Sequence, residues 1–240
     1  MLDLLEESGV YLLIGEYPAG PIGGLALTLM ISLLAMALVL PAAILVAVAR
    51  TSGVRWLVFA MKAYVDAIRC VPILLLIFWV YLFLPVVLGF PLSGFTTLVV
   101  AIFFYQTAYM SEVVRAGIEA LPKGQTEAAR SLGLSAPVIM LKVILPQALY
   151  NVLPGILNVL TIIVKESSLG YMVGAGELTL TASHVNSLTL TKPFEVFAIL
   201  ALMYFVVCFG IARLAKYMES RLGKHSLAMV RVAEADARAA

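Results

Sequence analysis

Apolar residues fill five long stretches of the chain, and charge, glycine and proline concentrate in the short segments between them. The runs cover about 22–49, 56–84, 95–111, 138–164 and 194–212. A hydrocarbon core of about 30 Å is crossed by about 20 residues of helix, so each run is at or near membrane-spanning length. None shows the period-two alternation of a barrel strand, and a lone span in lipid has to satisfy its own backbone groups, so each is expected to be helical. The second run is uneven, with Lys62, Asp66 and Arg69 in its first half. That half is expected to begin at the membrane face and to pack against protein rather than lipid. The fold predicted is an all-α integral membrane protein of five transmembrane helices, with residues 1–240 forming a single transmembrane domain.

Composition agrees with this pattern. The chain is 62% apolar and 12% charged, with a mean hydropathy of +1.04, which is a membrane composition and leaves no room for a soluble domain beside five spans. The acidic start (Asp3, Glu6, Glu7) and the length of the first run predict no cleavable signal. Cys70 and Cys208 both lie in apolar runs, where a thiol behaves as a small hydrophobe, and they supply neither a disulfide framework nor metal-ligand spacing. The tail over 224–240 ends in an Ala-rich charged stretch with nothing to bury and is expected to be poorly ordered.

The placement of charge predicts orientation. Of the sixteen Lys and Arg residues, Arg50, Arg55, Lys62 and Arg69 surround the first turn; Arg115, Lys123, Arg130 and Lys142 surround the third connection; and Arg213, Lys216, Arg221, Lys224, Arg231 and Arg238 lie in the tail. Lys165 and Lys192 alone fall on the other side. The positive-inside rule then puts the N-terminus outside and the C-terminus in the cytoplasm, a parity that five spans satisfy.

The third connection is patterned. Pro122 suits the start of a short helix, where its missing N–H costs nothing, and Gly133 suits a C-terminal cap with positive φ. Between them Ala128, Ala129 and Leu132 recur at helical spacing, and Glu127 and Arg130 stand three apart on a charged face. Ser135 is placed to cap the next helix, with Pro137 in its first turn. Small side chains flanked by charge let another protein approach the backbone closely, whereas a helix lying on the membrane surface would satisfy the same physical features.

The order Glu127-Ala128-Ala129, three residues, Gly133, then Leu145-Pro146 resembles the EAA loop of ABC importer permeases, with Val143 standing where Ile is usual. Thr107 to Ile118, Pro122 to Gln125, Leu145 to Ala148, Tyr64 to Pro72 and Lys165 to Leu169 are similar to the polar amino acid permeases of that superfamily, a likeness covering about 60–170. The resemblance implies a subunit of a bacterial inner-membrane importer for a polar amino acid. It makes 119–135 a cytoplasmic coupling loop in which Glu127, Ala128, Ala129, Arg130 and Gly133 dock on an ATPase. It further implies two ATPase subunits per complex, which hold the ATP and Mg, a periplasmic or lipid-anchored solute-binding protein, and a second permease chain, identical or related. Membrane lipid is the remaining partner. No nucleic acid, and no cofactor or metal in this chain, is expected.

The chain has no Gly-x-x-x-x-Gly-Lys-Ser/Thr phosphate loop, so energy has to come from a partner. With two histidines, both outside the spans, and no paired carboxylates facing the membrane, an embedded enzyme is disfavoured. A channel or secondary transporter would also be all-helical, but such proteins usually carry an internal repeat, and none is visible.

Ionisable groups at membrane depth are functional suspects. By analogy with transporters that bind their substrate at helix breaks, the candidate ligands are Arg69, Gln106, Tyr109, Glu166, Ser167 and Ser168. Glu166 would meet an ammonium, and backbone N–H groups or Ser167 a carboxylate. Alternative roles are an Arg69 that snorkels or pairs with Asp66, and an outer interface turn for 166–168. Pro154-Gly155 is a potential kink in the fourth run. His184 and Asn186 are expected at the outer surface, and Tyr11, Tyr17, Tyr105 and Tyr109 are either interfacial anchors or packing residues.

Overall fold

A computed structural model describes the backbone of residues 2–239, with side chains described except at 2, 3, 5 and 222–239. Among the described residues there are helices and two isolated bridges, Gly15 to Ile22 and Gly24 to Glu177, but no strand. The expected lack of order over 224–240 lies outside the residues whose side chains are described.

Among the described residues four helical segments are long and apolar enough to cross a membrane: Gly24–Thr51, Gly94–Glu119, Leu153–Val173 and Pro193–Arg221. A bent pair, Arg55–Arg69 with Ile73–Leu88, brings the count to five if it is one span. The first segment is α2 (Gly24–Thr51), preceded by α1 (Leu2–Ile14), which the hydrophobic pattern did not predict.

The second run is not one straight span. It divides into α3 (Arg55–Arg69), α4 (Ile73–Leu82) and α5 (Leu84–Leu88), with a 100° bend at the break. Pro72 explains the break: it has no N–H to continue the ladder, its ring disfavours helical backbone at Val71, and it sits extended at ψ 137°. Within the chain α3 packs against α2 and the Gly94–Glu119 segment. Only Val65 of α3 is buried within the chain, and Trp56 and Phe59 are exposed.

Next comes α6 (Gly94–Glu119), opened by the Ser93 hydroxyl accepting from Thr96 N–H at 3.1 Å. It is the central helix, lying along α2 and touching α3 and α4. In its most apolar stretch 61% of residues are buried, against 11% for the last span.

The short helix α7 (Lys123–Ser131) follows, with Pro122 immediately before it and Gly133 at φ +77° just beyond. Ser135 precedes α8 (Ala136–Ile139) but its hydroxyl makes no capping bond.

The fourth run is likewise broken. After α8 come a π turn (Met140–Ile144), α9 (Leu145–Asn151) and α10 (Leu153–Glu166), and the span-length segment is Leu153–Val173 rather than 138–164. Two prolines account for this. Pro146 and Pro154 cannot donate to the carbonyls four residues earlier, so the ladder widens before the first and breaks at Val152 before the second. A 3₁₀ turn (Ser167–Val173) leads to α11 (Leu178–Thr189), also not predicted, and then to α12 (Pro193–Ala239).

Among the described residues two cores hold these elements. The larger joins α2, α6 and the α8 to α10 region through Ile31, Val39, Leu98, Ile102, Ile144 and Ile163. The smaller joins α1, α11 and α12 through Leu4, Leu12, Leu178, Val185, Val196 and Ile199. A buried polar clasp ties the second to the first. Glu177, fully buried, caps α11 by accepting from Thr179 N–H at 2.8 Å and Leu180 N–H at 3.0 Å, and the Tyr204 hydroxyl of α12 donates to it at 2.9 Å. Leu178 N–H donates to the Thr28 hydroxyl of α2 at 3.1 Å.

Candidate functional site

Polar residues run down one side of α6. Tyr105, Tyr109, Glu112, Arg115 and Glu119 follow one another at three- or four-residue steps, the spacing that keeps side chains on one helix face. Gln106, beside this line, is 2% exposed, and its Nε2 donates to a carboxylate oxygen of Glu166 at 2.5 Å, joining α6 to the end of α10. The Gln106 carbonyl oxygen is buried without a hydrogen-bond partner.

One turn on, the hydroxyls of Tyr105 and Tyr109 are 3.3 Å apart, and the Arg69 guanidinium lies 5.4 Å from the centre of the Tyr109 ring. That contact suits a cation on an aromatic face. Arg69 turns toward Glu112, with Nη1 at 3.8 Å. Of the six candidate ligands, then, Arg69 meets Tyr109 and Gln106 meets Glu166, on adjacent turns of one helix.

Ser167 and Ser168 sit at the start of the 3₁₀ turn directly after Glu166, with hydroxyls turned inward to their own chain. Ser167 donates to the Val164 carbonyl at 2.7 Å and Ser168 to the Lys165 carbonyl at 2.6 Å. Their oxygens retain lone pairs, so they stand as acceptors rather than donors.

Sequence reasoning did not single out the charged cluster at the lower end of the line. Glu112 accepts from Arg50 of α2 and from Arg115 of α6, the latter through Nη2 at 2.6 Å and Nε at 3.0 Å, and Arg115 also donates to Glu119 at 2.6 Å. Glu112, Arg115 and Glu119 at steps of three and four carried a local signal, but Arg50 is 62 positions from its partner and carried none.

The α7 region is built differently. Ala129 faces inward and is 6% exposed, while Glu127, Ala128, Arg130 and Gly133 are exposed and Leu132 is 80% exposed. α7 rests on α8 and the π turn. A cleft of about 790 Å³ separates it from the ends of α2 and α6, lined by Arg50, Glu119, Lys123, Thr126 and Arg130 with an apolar wall including Met140. Exposed His184 approaches the Tyr11 hydroxyl at 3.5 Å. Among the described residues no group of His, Cys, Asp and Glu could hold a metal ion.

A bundle of broken spans around a polar central helix, with a short exposed helix at one end, is the form of a membrane transport subunit. Residues 39–224 match the family of binding-protein-dependent transport system inner membrane components, and the chain belongs to that family. It is 39% identical over 197 residues to the probable glutamine ABC transporter permease protein GlnM of Bacillus subtilis (strain 168), covering 82% of this chain and 90% of that one. It is 35% identical over 203 residues to the inner membrane amino-acid ABC transporter permease protein YhdY of Escherichia coli (strain K12), covering 83% of this chain and 55% of that longer relative. Among solved structures it superposes with a TM-score of 0.79 on a chain of an amino acid ABC transporter crystallised with histidines, at 30% identity, covering 92% of this chain and 97% of that one. The chain is thus a transport-system component and not an enzyme, and ATP hydrolysis in such systems belongs to separate subunits.

Proposed function

We propose that the chain is a multi-pass inner-membrane subunit that forms part of the translocation path of an ATP-driven importer for a polar amino acid. The observation that carries this is a pair of opposite charges, from α10 and α3, held by neighbouring turns of α6. Gln106 holds the carboxylate of Glu166 and Tyr109 holds the guanidinium of Arg69. Three residues of helix separate the two holders, about 4.5 Å of rise, which suits the ammonium and carboxylate of one small zwitterion. Glu166 would meet the ammonium and Arg69 the carboxylate, while the acceptor oxygens of Ser167 and Ser168 favour the ammonium side. The names of the relatives, which transport amino acids, point the same way.

The bent pair counts as the second of five spans in this reading, with the N-terminus outside and the C-terminus in the cytoplasm, as the distribution of Lys and Arg supports. α7 is then a cytoplasmic coupling helix. Its exposed Glu127, Ala128, Arg130 and Gly133 enter a groove of an ATPase subunit, and inward-facing Ala129 seats it on the permease. Two ATPases binding ATP and Mg, a solute-binding protein outside and a second permease chain complete the assembly, since five spans do not enclose a path alone.

The test is reconstitution of the chain with its ATPase and binding protein in vesicles, followed by a screen of amino acids for stimulated ATP hydrolysis and uptake. Stimulation by one polar class is expected. Uptake without any ATPase, driven by an ion gradient, would overturn the reading.

A further inference from the structure

Glu112, Arg115 and Glu119 of α6 are neither substrate candidates nor part of the α7 face, and they lie along α6 between Tyr109 and the start of α7. Glu112 is a single carboxylate facing three guanidinium groups from three helices: Arg50 from α2, Arg69 from α3 and Arg115 from α6. The three are held unequally. Arg115 makes two hydrogen bonds to one oxygen, Arg50 bonds the other and has a side chain only 10% exposed, and Arg69 shares that second oxygen at 3.8 Å with a side chain 45% exposed. Three arginines against Glu112 and Glu119 leave one positive charge unmatched, and the loosest arginine is Arg69. It ends α3, directly before the 100° bend.

We propose that Glu112 is a positioning residue for transport, governing when Arg69 is free to meet the substrate and thereby linking the base of α7 to the substrate site. This rests on the import function proposed above. Glu119, the last residue of α6, lines the cleft behind α7 together with Lys123 and Arg130 of α7 itself. A shift of α7 across that cleft changes the surroundings of Glu119, which is bonded to Arg115, which is bonded to Glu112. Ten residues of helix, about 15 Å, then separate the end of this line from Tyr109 and the guanidinium resting on it. When Glu112 is drawn toward Arg115, its other oxygen loses hold of Arg69 first, because that is its longest contact. In the proposed mechanism the released cation meets the carboxylate of the substrate.

The test uses the complete complex of permease, ATPase and binding protein in vesicles, with Glu112→Gln, the charge-balanced pair Arg50→Gln/Glu112→Gln, and Arg69→Gln. The pair removes one charge of each sign, so the net charge of the cluster is unchanged. Both Glu112 variants are expected to keep ATPase co-purification and basal hydrolysis while stimulation by substrate falls about tenfold, within the usual span of site-to-site coupling. Because Glu112 acts through Arg69, the KM for substrate in Arg69→Gln should not change further when Glu112→Gln is added. Full stimulation in either folded Glu112 variant, or additive effects on KM, would overturn the proposal. So would loss of ATPase co-purification in both Glu112 variants, which would make Glu112 a purely structural group. A wild-type complex that no amino acid stimulates would instead defeat the import reading, and this proposal with it.

Discussion

The Gln106 amide of α6 donates to the Glu166 carboxylate of α10 at 2.5 Å, across 60 positions of sequence, and so brings an acidic group to the middle of the most buried of the four candidate spans among the described residues. A carboxylate so placed is costly unless it is partnered or used.

Replacing Glu166 by Gln keeps the shape and the hydrogen bond but removes the charge. If the carboxylate meets an ammonium, the KM for uptake rises by about tenfold or more while assembly with the ATPase is retained, the pattern of lost ground-state binding. An unchanged KM would dissociate Glu166 from the substrate.

At Gly133 the backbone has φ +77°, a conformation that costs a side-chain-bearing residue about 1–2 kcal/mol. No atom lies within 4 Å of where a Cβ would stand, so Gly133→Asp meets open space and adds a charge beside the exposed face of α7. The variant is expected to insert in the membrane but to lose ATPase co-purification. Normal recovery of the ATPase with it would argue against a coupling role for α7.

Gly94 marks a close approach of another kind. A Cβ there would strike the Val173 carbonyl oxygen and would come within 2.9 Å of Ala175 N, both backbone atoms that cannot swing aside. Gly94→Ala should therefore destabilise by about 1–3 kcal/mol, the usual cost of overpacking, read as a lowered melting temperature in detergent. Wild-type melting would show that the 3₁₀ turn and α6 are not packed this closely.

Glu177 gives a pH dependence. Burial pushes its carboxyl above the usual range, against hydrogen bonds from Thr179, Leu180 and Tyr204 that favour the ionised form. A folded state with the raised value holds the proton more tightly than the unfolded chain does. The linked stability is therefore present in acid and is lost as pH rises through the folded value. Measured against Glu177→Gln, the melting temperature of the wild type should fall as pH is raised from about 4, the ordinary carboxylate value. A difference that stays flat with pH would show that the hydrogen bonds cancel the effect of burial. Tyr204→Phe, which removes one of those bonds, should cost about 1 kcal/mol.

The sequence by itself determined that the chain is helical and membrane-spanning, because lipid offers no partner to an unpaired backbone group and five apolar runs have nowhere else to go. It also marked where helices begin and end. Pro122 and Gly133 bracket α7 through local backbone chemistry alone, and both are found at its ends. Pro154-Gly155 marked a potential kink in the same way, but the breaks at Pro72 and Pro146 were not anticipated, nor was what any break produces. A missing N–H interrupts a ladder, whereas the direction of the next helix, here a 100° turn after α3, is set by what it packs against.

Tertiary structure alone decided the rest. α11 has too few apolar residues to stand out, and its Leu178, Ala182 and Val185 become a core only when α1 and α12 cover them. The pairing of Gln106 with Glu166 and of Arg50 with Glu112 joins residues 60 and 62 positions apart. Such choices depend on which charge lies within a few ångströms after packing, and a linear pattern carries hydrophobicity and turn chemistry but not that distance.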